Sequence, residues 1–177
     1  MKKAFLLLLA AVLFLSCAAC GEKAEAPSGG VPGSFDSRDI CLVIGGTSVT
    51  ADTTAEELLA LLGEDYDYAE AISCVYDGMD KTYTYPDFVL YTYPQEDGDK
   101  LMELYCSGGE VQTSRGIALG ATREEVIAQY GEPTSAVGLT MSYELETTGD
   151  LLPASLYFMI RDGKVAAIAI TAEHRAE

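Results

Sequence analysis

Residues 119–133 read LGATREEVIAQYGEP, and residues 51–65 read ADTTAEELLALLGED. The same residue types recur at the same spacing in both stretches, namely Thr54, Glu57 and Gly63 in the first and Thr122, Glu125 and Gly131 in the second. A Thr and a Glu three residues apart form a capping box, in which each side chain accepts a backbone N–H bond from the other residue. A glycine just past the last turn ends a helix, because glycine adopts positive φ without strain. Each stretch therefore predicts one short helix.

Extended segments rich in β-branched and aromatic residues follow each helix, which is the composition of β-strands. They lie at about 71–77, 81–93 and 100–106 after the first helix, and at about 135–146, 155–161 and 164–171 after the second. Pro86 suggests an interruption of the second segment, and Asp162-Gly163 supplies the positive φ angles of a two-residue hairpin turn. The sequence therefore predicts two tandem helix-plus-three-strand repeats, at about 52–107 and 120–172.

A single helix over three strands buries too little apolar surface to be stable alone. The two repeats are therefore expected to form one antiparallel sheet with the short helices packed on one face. A β-hairpin is predicted before the first repeat, because apolar residues 40–44 are followed by Gly45-Gly46 and then by residues 47–50. The predicted fold class is α+β.

The N-terminus carries the pattern of an export signal, with Lys2 and Lys3 followed by an apolar run from residue 4 to residue 15. A membrane-spanning helix needs about 20 apolar residues, so this run is too short to be a permanent span. Small residues and Cys17 and Cys20 come next.

The motif Ala18-Ala19-Cys20-Gly21 resembles the lipobox of bacterial lipoproteins. The resemblance implies that residues 1–19 are a lipoprotein signal peptide and that Cys20 receives the lipid, which would place the protein on the extracytoplasmic face of the cell membrane. Cys17 is the alternative lipidated residue. The alternative interpretation is a plain secretory signal in which Cys17 and Cys20 have no role.

Residues 20–38 are rich in Gly, Pro, Ser and Ala, a composition that behaves as a flexible tether. The folded domain is predicted at 39–177, and the total of 177 residues allows one domain or two very small ones. The formal charge is −17, from 28 acidic and 11 basic residues. Such a chain is repelled by phosphates, so nucleic acid is excluded as a partner, whereas a cationic or neutral partner is favoured.

The phrase at 116–126, ending in Tyr130-Gly131-Glu132-Pro133, resembles the repeat of the β-lactamase-inhibitor-protein-like superfamily, which includes the small outer-membrane-assembly lipoproteins. Together with the lead-in at 113–117, it is also similar to uncharacterised lipoproteins of Gram-positive bacteria. In the first copy Asp65 stands where the family has Pro. The resemblance implies a tandem α/β repeat with a curved antiparallel sheet whose exposed face docks a protein and performs no chemistry.

Catalytic patterns are absent from the sequence. It contains no H-E-x-x-H, no G-x-S-x-G and no phosphate-binding G-x-x-x-x-G-K-[ST] motif, and its one histidine is His174. The acidic stretches at 64–67 and 96–99 do not match the ligand spacing of a calcium loop. We therefore predict no catalytic residue, no cofactor and no metal site.

The tyrosines say more about a possible binding surface than the acidic stretches do, since the chain has 11 tyrosines and no tryptophan. Tyr83 and Tyr85, and likewise Tyr91 and Tyr93, are two apart, so each pair is expected on one face of its strand. The four rings either close the core or form a protein-contact surface, since tyrosine brings large contact area at a low entropic cost. They are the candidate contact residues.

Cys41, Cys74 and Cys106 remain in the domain, all in segments predicted as strands. In an oxidising compartment any two of them could pair, and the sequence does not select which.

The predicted function is an extracytoplasmic, lipid-anchored binding module that docks a protein or peptide and is not an enzyme. The alternative is an inhibitor of a secreted hydrolase, with an acidic hairpin tip at 77–80 entering a basic active site. An enzyme that uses clustered carboxylates in a cleft is the third hypothesis.

Overall fold

The computed structural model describes residues 34–146 and 153–173. These residues form an α+β fold with two α-helices, an eight-stranded antiparallel sheet and a three-stranded sheet. In chain order the elements are a 3-10 turn (Ser37–Asp39), β1 (Cys41–Ile44), β2 (Thr47–Thr50), α1 (Ala55–Leu62), β3 (Asp67–Ile72), β4 (Met79–Thr84), β5 (Phe88–Tyr93), β6 (Lys100–Cys106), β7 (Val111–Thr113), α2 (Arg123–Tyr130), β8 (Ser135–Val137), β9 (Thr140–Leu145), β10 (Ala154–Arg161) and β11 (Lys164–Thr171).

Both helices begin and end where the sequence predicts. In α1 the Glu57 amide donates to the Thr54 hydroxyl at 3.3 Å, and the Thr54 amide donates to the Glu57 carboxylate at 2.9 Å. The corresponding distances at the start of α2 are 3.2 and 2.7 Å. Gly63 and Gly131 follow the last helical residues with φ of 88° and 80°, a conformation that side chains disfavour. These contacts are local, which is why a short sequence pattern predicts them.

The large sheet has the strand order β3-β4-β5-β6-β11-β10-β9-β8, with every neighbouring pair antiparallel. Each helix is therefore followed by a meander of four strands, and the two meanders join edge to edge through β6 and β11. The predicted count of three strands per helix is wrong. The segment predicted at 81–93 turns at Pro86, where the Tyr85 amide donates to the Phe88 carbonyl at 2.8 Å, and the segment predicted at 135–146 turns at Gly138.

The predicted hairpin is confirmed, because β1 and β2 pair around Gly45 and Gly46. Its partner was not predicted. The short strand β7 pairs with the free edge of β1, with Leu42 opposite Thr113, to complete the three-stranded sheet.

A single core lies between the large sheet on one side and the helices and small sheet on the other. Leu58 of α1, Val126 of α2 and Leu42 of β1 are fully buried in one cluster with the inward-facing residues of the large sheet. One cross-strand row of that inward face contains Tyr83, Leu90, Leu104, Ile170, Leu156 and Tyr143. Since side chains alternate along each strand, the intervening residues form a second face that α1, α2 and the small sheet do not cover.

The N-terminal end of the described chain is held against the helix side of the domain. The Phe35 ring packs against Tyr130 and Tyr143, with centroids at 6.2 and 5.8 Å. Arg115 donates two hydrogen bonds to Asp39, at 2.7 and 2.6 Å, and one to the Ser34 carbonyl at 3.0 Å. Residues 34–38, which the sequence assigns to the tether, therefore lie against the folded domain.

Candidate protein-contact surface

The four candidate tyrosines do not form one exposed patch. Tyr83, Tyr85 and Tyr93 are buried, with 6, 7 and 0% of their surface exposed, whereas Tyr91 is 38% exposed. The interpretation as a contact surface is therefore wrong for the first three, and Tyr91 is the one that solvent reaches.

Tyr83 and Tyr85 point toward the helices because β4 places them on the inward face of the sheet. Tyr83 lies opposite the fully buried Leu90 of β5, and opposite residues of antiparallel strands share a face. The Tyr85 hydroxyl donates to the Gly63 carbonyl at 2.9 Å and so contacts the end of α1. Tyr143 makes the same contact with Gly131 at the end of α2, at 2.8 Å. Burial raises the pKa of both phenols to about 12.

Tyr91 and Tyr93 share one face of β5, as their spacing predicts, because β5 pairs with β4 in regular register, with Lys81 opposite Thr92 and Thr82 opposite Tyr91. The β-bulge nearby lies in β6, where Met102 is an extra residue between Glu103, opposite Tyr91, and Leu101, opposite Thr92. Tyr93 is covered by the Tyr76 ring at a centroid distance of 4.8 Å, which explains its burial.

The outward face of the sheet carries tyrosines that the sequence analysis missed. One cross-strand row consists of Val89, Tyr105, Ala169, Tyr157 and Ser142, and the next consists of Tyr91, Glu103, Thr171, Ser155 and Glu144. We call Tyr91, Tyr105 and Tyr157, together with Glu103, the tyrosine face. Period-two alternation in residues 100–106 and 154–161 was the available signal, but the sequence does not say which face each position takes.

Specific hydrogen bonds hold this face in place. The Tyr157 hydroxyl donates to Glu103 Oε1 at 2.5 Å, and the Tyr105 hydroxyl donates to the Met159 sulfur at 3.7 Å. Tyr105 and Tyr157 are half-buried and flank the small Ala169 of the intervening strand. Burial, followed by the hydrogen bond to the Glu103 carboxylate, raises the pKa of Tyr157. The phenol thus stays a neutral donor at physiological pH.

The acidic turn predicted at 77–80 is exposed at Asp77 and Gly78 and is held against the domain beside them. The preceding Tyr76 stacks on Tyr93 and donates to Glu173 at 2.7 Å, and Gly78 lies so close to Pro94 that an added Cβ would be 2.9 Å from its ring. Met79 and Asp80 already belong to β4. Inhibition of a secreted hydrolase by this acidic turn stays a prediction.

Two grooves lie elsewhere in the described part of the chain. One, of about 390 Å³, lies beside Gly45 and Gly46, and Glu110 is the one acidic residue among those that line it. The other, of about 290 Å³, is lined by Asp65 and Asp67 with Tyr66, Thr84, Tyr85 and Pro86.

Residues 34–146 and 153–173 contain neither a metal-binding cluster nor a membrane-spanning helix. No group of three or more His, Cys, Asp or Glu side chains in these ranges is placed to hold a metal ion. No helix formed by the same residues has the length and apolar character to cross a membrane. His174, Cys20 and the predicted signal peptide lie outside the described residues.

The three domain cysteines are free thiols in the described structure. Cys41 and Cys106 are buried in β1 and β6, and burial raises the pKa of both thiols, that of Cys106 to about 12. Cys74 is exposed and lies in the loop between β3 and β4, not in the predicted strand.

Comparison of the chain with protein-family models, with curated proteins and with solved structures gives no match. The resemblance of residues 116–133 to the β-lactamase-inhibitor-protein-like superfamily therefore stays a prediction.

Proposed function

We propose that this protein is an extracytoplasmic, lipid-anchored binding module, without catalytic activity, that docks a protein on the tyrosine face of its large sheet. The observation that carries the proposal is the position of Tyr91, Tyr105 and Tyr157 on the side of the sheet away from the helices. Tyrosine is enriched in protein interfaces because its rigid ring contributes large area and its hydroxyl a hydrogen bond.

The composition of the surrounding face supports docking. Small and hydroxyl-bearing residues lie beside the rings, including Ala169, Thr171 and Ser155. These short side chains leave the rings of Tyr105 and Tyr157 partly exposed, so a partner can contact them. A partner would then bury the rings fully, and fully desolvated aromatic residues at an interface centre carry much of the binding energy.

We further propose that the two halves of the large sheet are tandem repeats. Three pairs of contacts support this: the capping boxes, the Tyr85–Gly63 and Tyr143–Gly131 hydrogen bonds, and the bridges that join Thr54 to Lys100 and Thr122 to Lys164. In this proposal each repeat has a helix and four strands. The tyrosine face then spans the junction, because Tyr91 and Tyr105 come from the first half and Tyr157 from the second.

The lipid anchor on Cys20 would leave the tyrosine face free. Phe35 and Ser34, at the start of the described chain, contact the helix side of the domain, opposite the proposed docking surface. A Cys20→Ala substitution should leave the protein without lipid, released or unprocessed. Mass spectrometry of the native protein that finds a cleaved, unmodified N-terminus beyond residue 20 would contradict the anchor.

Capture from membrane extracts tests the docking proposal. The wild-type protein should retain a partner that the double variant Tyr105→Ala/Tyr157→Ala loses. Tyr68→Ala is the matched control, because Tyr68 is 49% exposed but lies opposite Tyr83, on the inward side of edge strand β3. Unfolding curves for each variant show whether it is folded. A partner retained equally by the double variant would refute the tyrosine face as the docking surface.

A further inference from the structure

Glu103 lies at the centre of the tyrosine face. In β6 it is opposite Tyr91 on one side and Thr171 on the other, and Tyr157 reaches it diagonally with its hydroxyl. The side chain is half-buried. A carboxylate therefore lies among three phenol rings, and the next carboxylate of the same cross-strand row, that of Glu144, lies beyond Thr171 and Ser155.

The Glu103 carboxylate has unused acceptor capacity. A carboxylate offers about four acceptor positions on its two oxygens. Within the described ranges, Glu103 accepts one side-chain hydrogen bond, from Tyr157, and no salt bridge joins it to a Lys or Arg. A partly desolvated negative charge without a counter-ion is unfavourable, and a cation supplied by a partner would offset that cost.

The aromatic rings favour the same type of ligand. The face of a tyrosine ring carries partial negative charge and attracts cations within about 6 Å of its centroid. A planar guanidinium fits such a site better than an ammonium, because it stacks on a ring while donating two parallel bonds to a carboxylate. The formal charge of −17 adds a long-range attraction for basic surfaces.

The protein already binds one of its own arginines, Arg115, between a carboxylate and a tyrosine ring. Arg115 donates through two nitrogens to Asp39, and its guanidinium carbon lies 4.8 Å from the centroid of the Tyr130 ring. Both components, a carboxylate and a tyrosine ring, are present around Glu103, where no internal guanidinium occupies them among the described residues. The Arg115 site thus shows that a carboxylate and a tyrosine ring of this chain can bind a guanidinium together.

We propose that the protein docked on the tyrosine face presents an arginine to Glu103, with its guanidinium stacked on the surrounding tyrosine rings. This inference rests on the proposed function and names the chemistry of the partner. The carboxylate without a counter-ion and the net negative charge favour a cation. The aromatic rings favour a planar one, which is the guanidinium of arginine.

Methionine methyl NMR of the full chain in detergent tests the inference. Met159 reports on the tyrosine face, since its sulfur accepts the Tyr105 hydroxyl, and Met141, fully buried in the core, is the internal control. The probes are the pentapeptide Gly-Ser-Arg-Ser-Gly and the same peptide with citrulline, which has nearly the same shape but no charge. The arginine peptide should shift the Met159 signal saturably and leave Met141 unchanged. An equal response to the citrulline peptide, or no response to arginine, would overturn the proposal.

Two variants assign the effect to Glu103. Glu103→Gln removes the charge and should weaken binding of the arginine peptide at least about tenfold. Glu144→Gln is the matched control, because Glu144 is exposed in the same cross-strand row but lies beyond Thr171 and Ser155, and it should change binding less than about twofold. Equal effects of both variants would overturn the role of Glu103.

The same variants separate this inference from the docking proposal. If Glu103→Gln still captures the partner that Tyr105→Ala/Tyr157→Ala loses, docking stands and the arginine contact is refuted. If no partner depends on the two tyrosines while arginine binding depends on Glu103, the cation site is supported and the docking proposal fails.

Discussion

Replacing Asp39 with asparagine should destabilise the domain by about 2–4 kcal/mol, because it breaks a buried bidentate ion pair. Asp39 and Arg115 have 6 and 19% of their side-chain surfaces exposed, so water cannot readily replace the lost partner. Asp39 also accepts the Asp36 amide at 2.9 Å. The pair joins the N-terminal segment to the domain across 76 positions of sequence, so its loss also frees residues 34–38.

The size of this loss of stability follows from the hydrogen bonds that residue 39 and Arg115 keep after the substitution. Breaking a buried pair by removing one partner costs about 3–5 kcal/mol. Asparagine retains the size and one acceptor oxygen, whereas its amide N–H groups face the guanidinium donors, so part of that cost remains. Arg115 keeps its bond to the Gln129 carbonyl at 2.8 Å and its position over Tyr130, which places the expected value toward the lower end.

Urea denaturation followed by circular dichroism measures the change. The control is Arg38→Ala, because the Arg38–Asp36 pair is nearby but exposed, with side-chain exposures of 89 and 39%. Exposed pairs contribute little to stability because water screens them, so this variant should leave the unfolding curve nearly unchanged. The reasoning is refuted if Asp39→Asn costs less than about 1 kcal/mol, or if Arg38→Ala costs as much.

Three further predictions concern groups whose ionisation or reactivity the fold controls. Burial raises the pKa of the Tyr85 and Tyr143 phenols to about 12, against about 10 in the unfolded chain. Their contribution to stability should therefore be present below pH 10 and be lost as the pH rises through 12. Tyrosinate absorbance and unfolding curves over this pH range measure the loss. The Thr122 amide donates to the Glu125 carboxylate and lowers its pKa. The contribution of Glu125 to folding stability should therefore be present above its unfolded pKa and be lost as the pH falls through its folded pKa. Glu125→Gln should flatten the acid side of a plot of stability against pH, and an unchanged plot would contradict the cap. Iodoacetamide should modify Cys74 in the native protein and spare Cys106 until urea is added, as peptide mapping will show; early modification of Cys106 would contradict its burial.

Turns and caps could be predicted from the sequence because the atoms that form them are close along the chain. The two capping boxes join residues three apart, and Asp162 and Gly163 adopt the positive φ values, 53° and 75°, that their hairpin turn requires. The strand count failed where a segment of strand-like composition folded back on itself at Pro86 or Gly138. Composition shows that a residue can be in a strand, but it does not show where pairing changes partner.

The tyrosine face could not be predicted for a related reason. Whether a tyrosine points inward or outward depends on the register of its strand, and Tyr93 is buried because the Tyr76 ring, from a separate loop, stacks on it. Tyr105 and Tyr157 come together with Glu103 because β6 and β10 both pair with β11, although Glu103 and Tyr157 are 54 positions apart.

The amino-acid sequence by itself determined the α+β class, both helices with their caps, the first hairpin and the net acidic charge. These properties depend on neighbouring residues or on totals. Only the tertiary structure decided which tyrosines are buried, which carboxylate lies among the exposed rings, and that Arg115 pairs with Asp39. Those contacts exist only once distant strands have chosen their partners and register, and that choice minimises the free energy of the whole sheet rather than of any one segment.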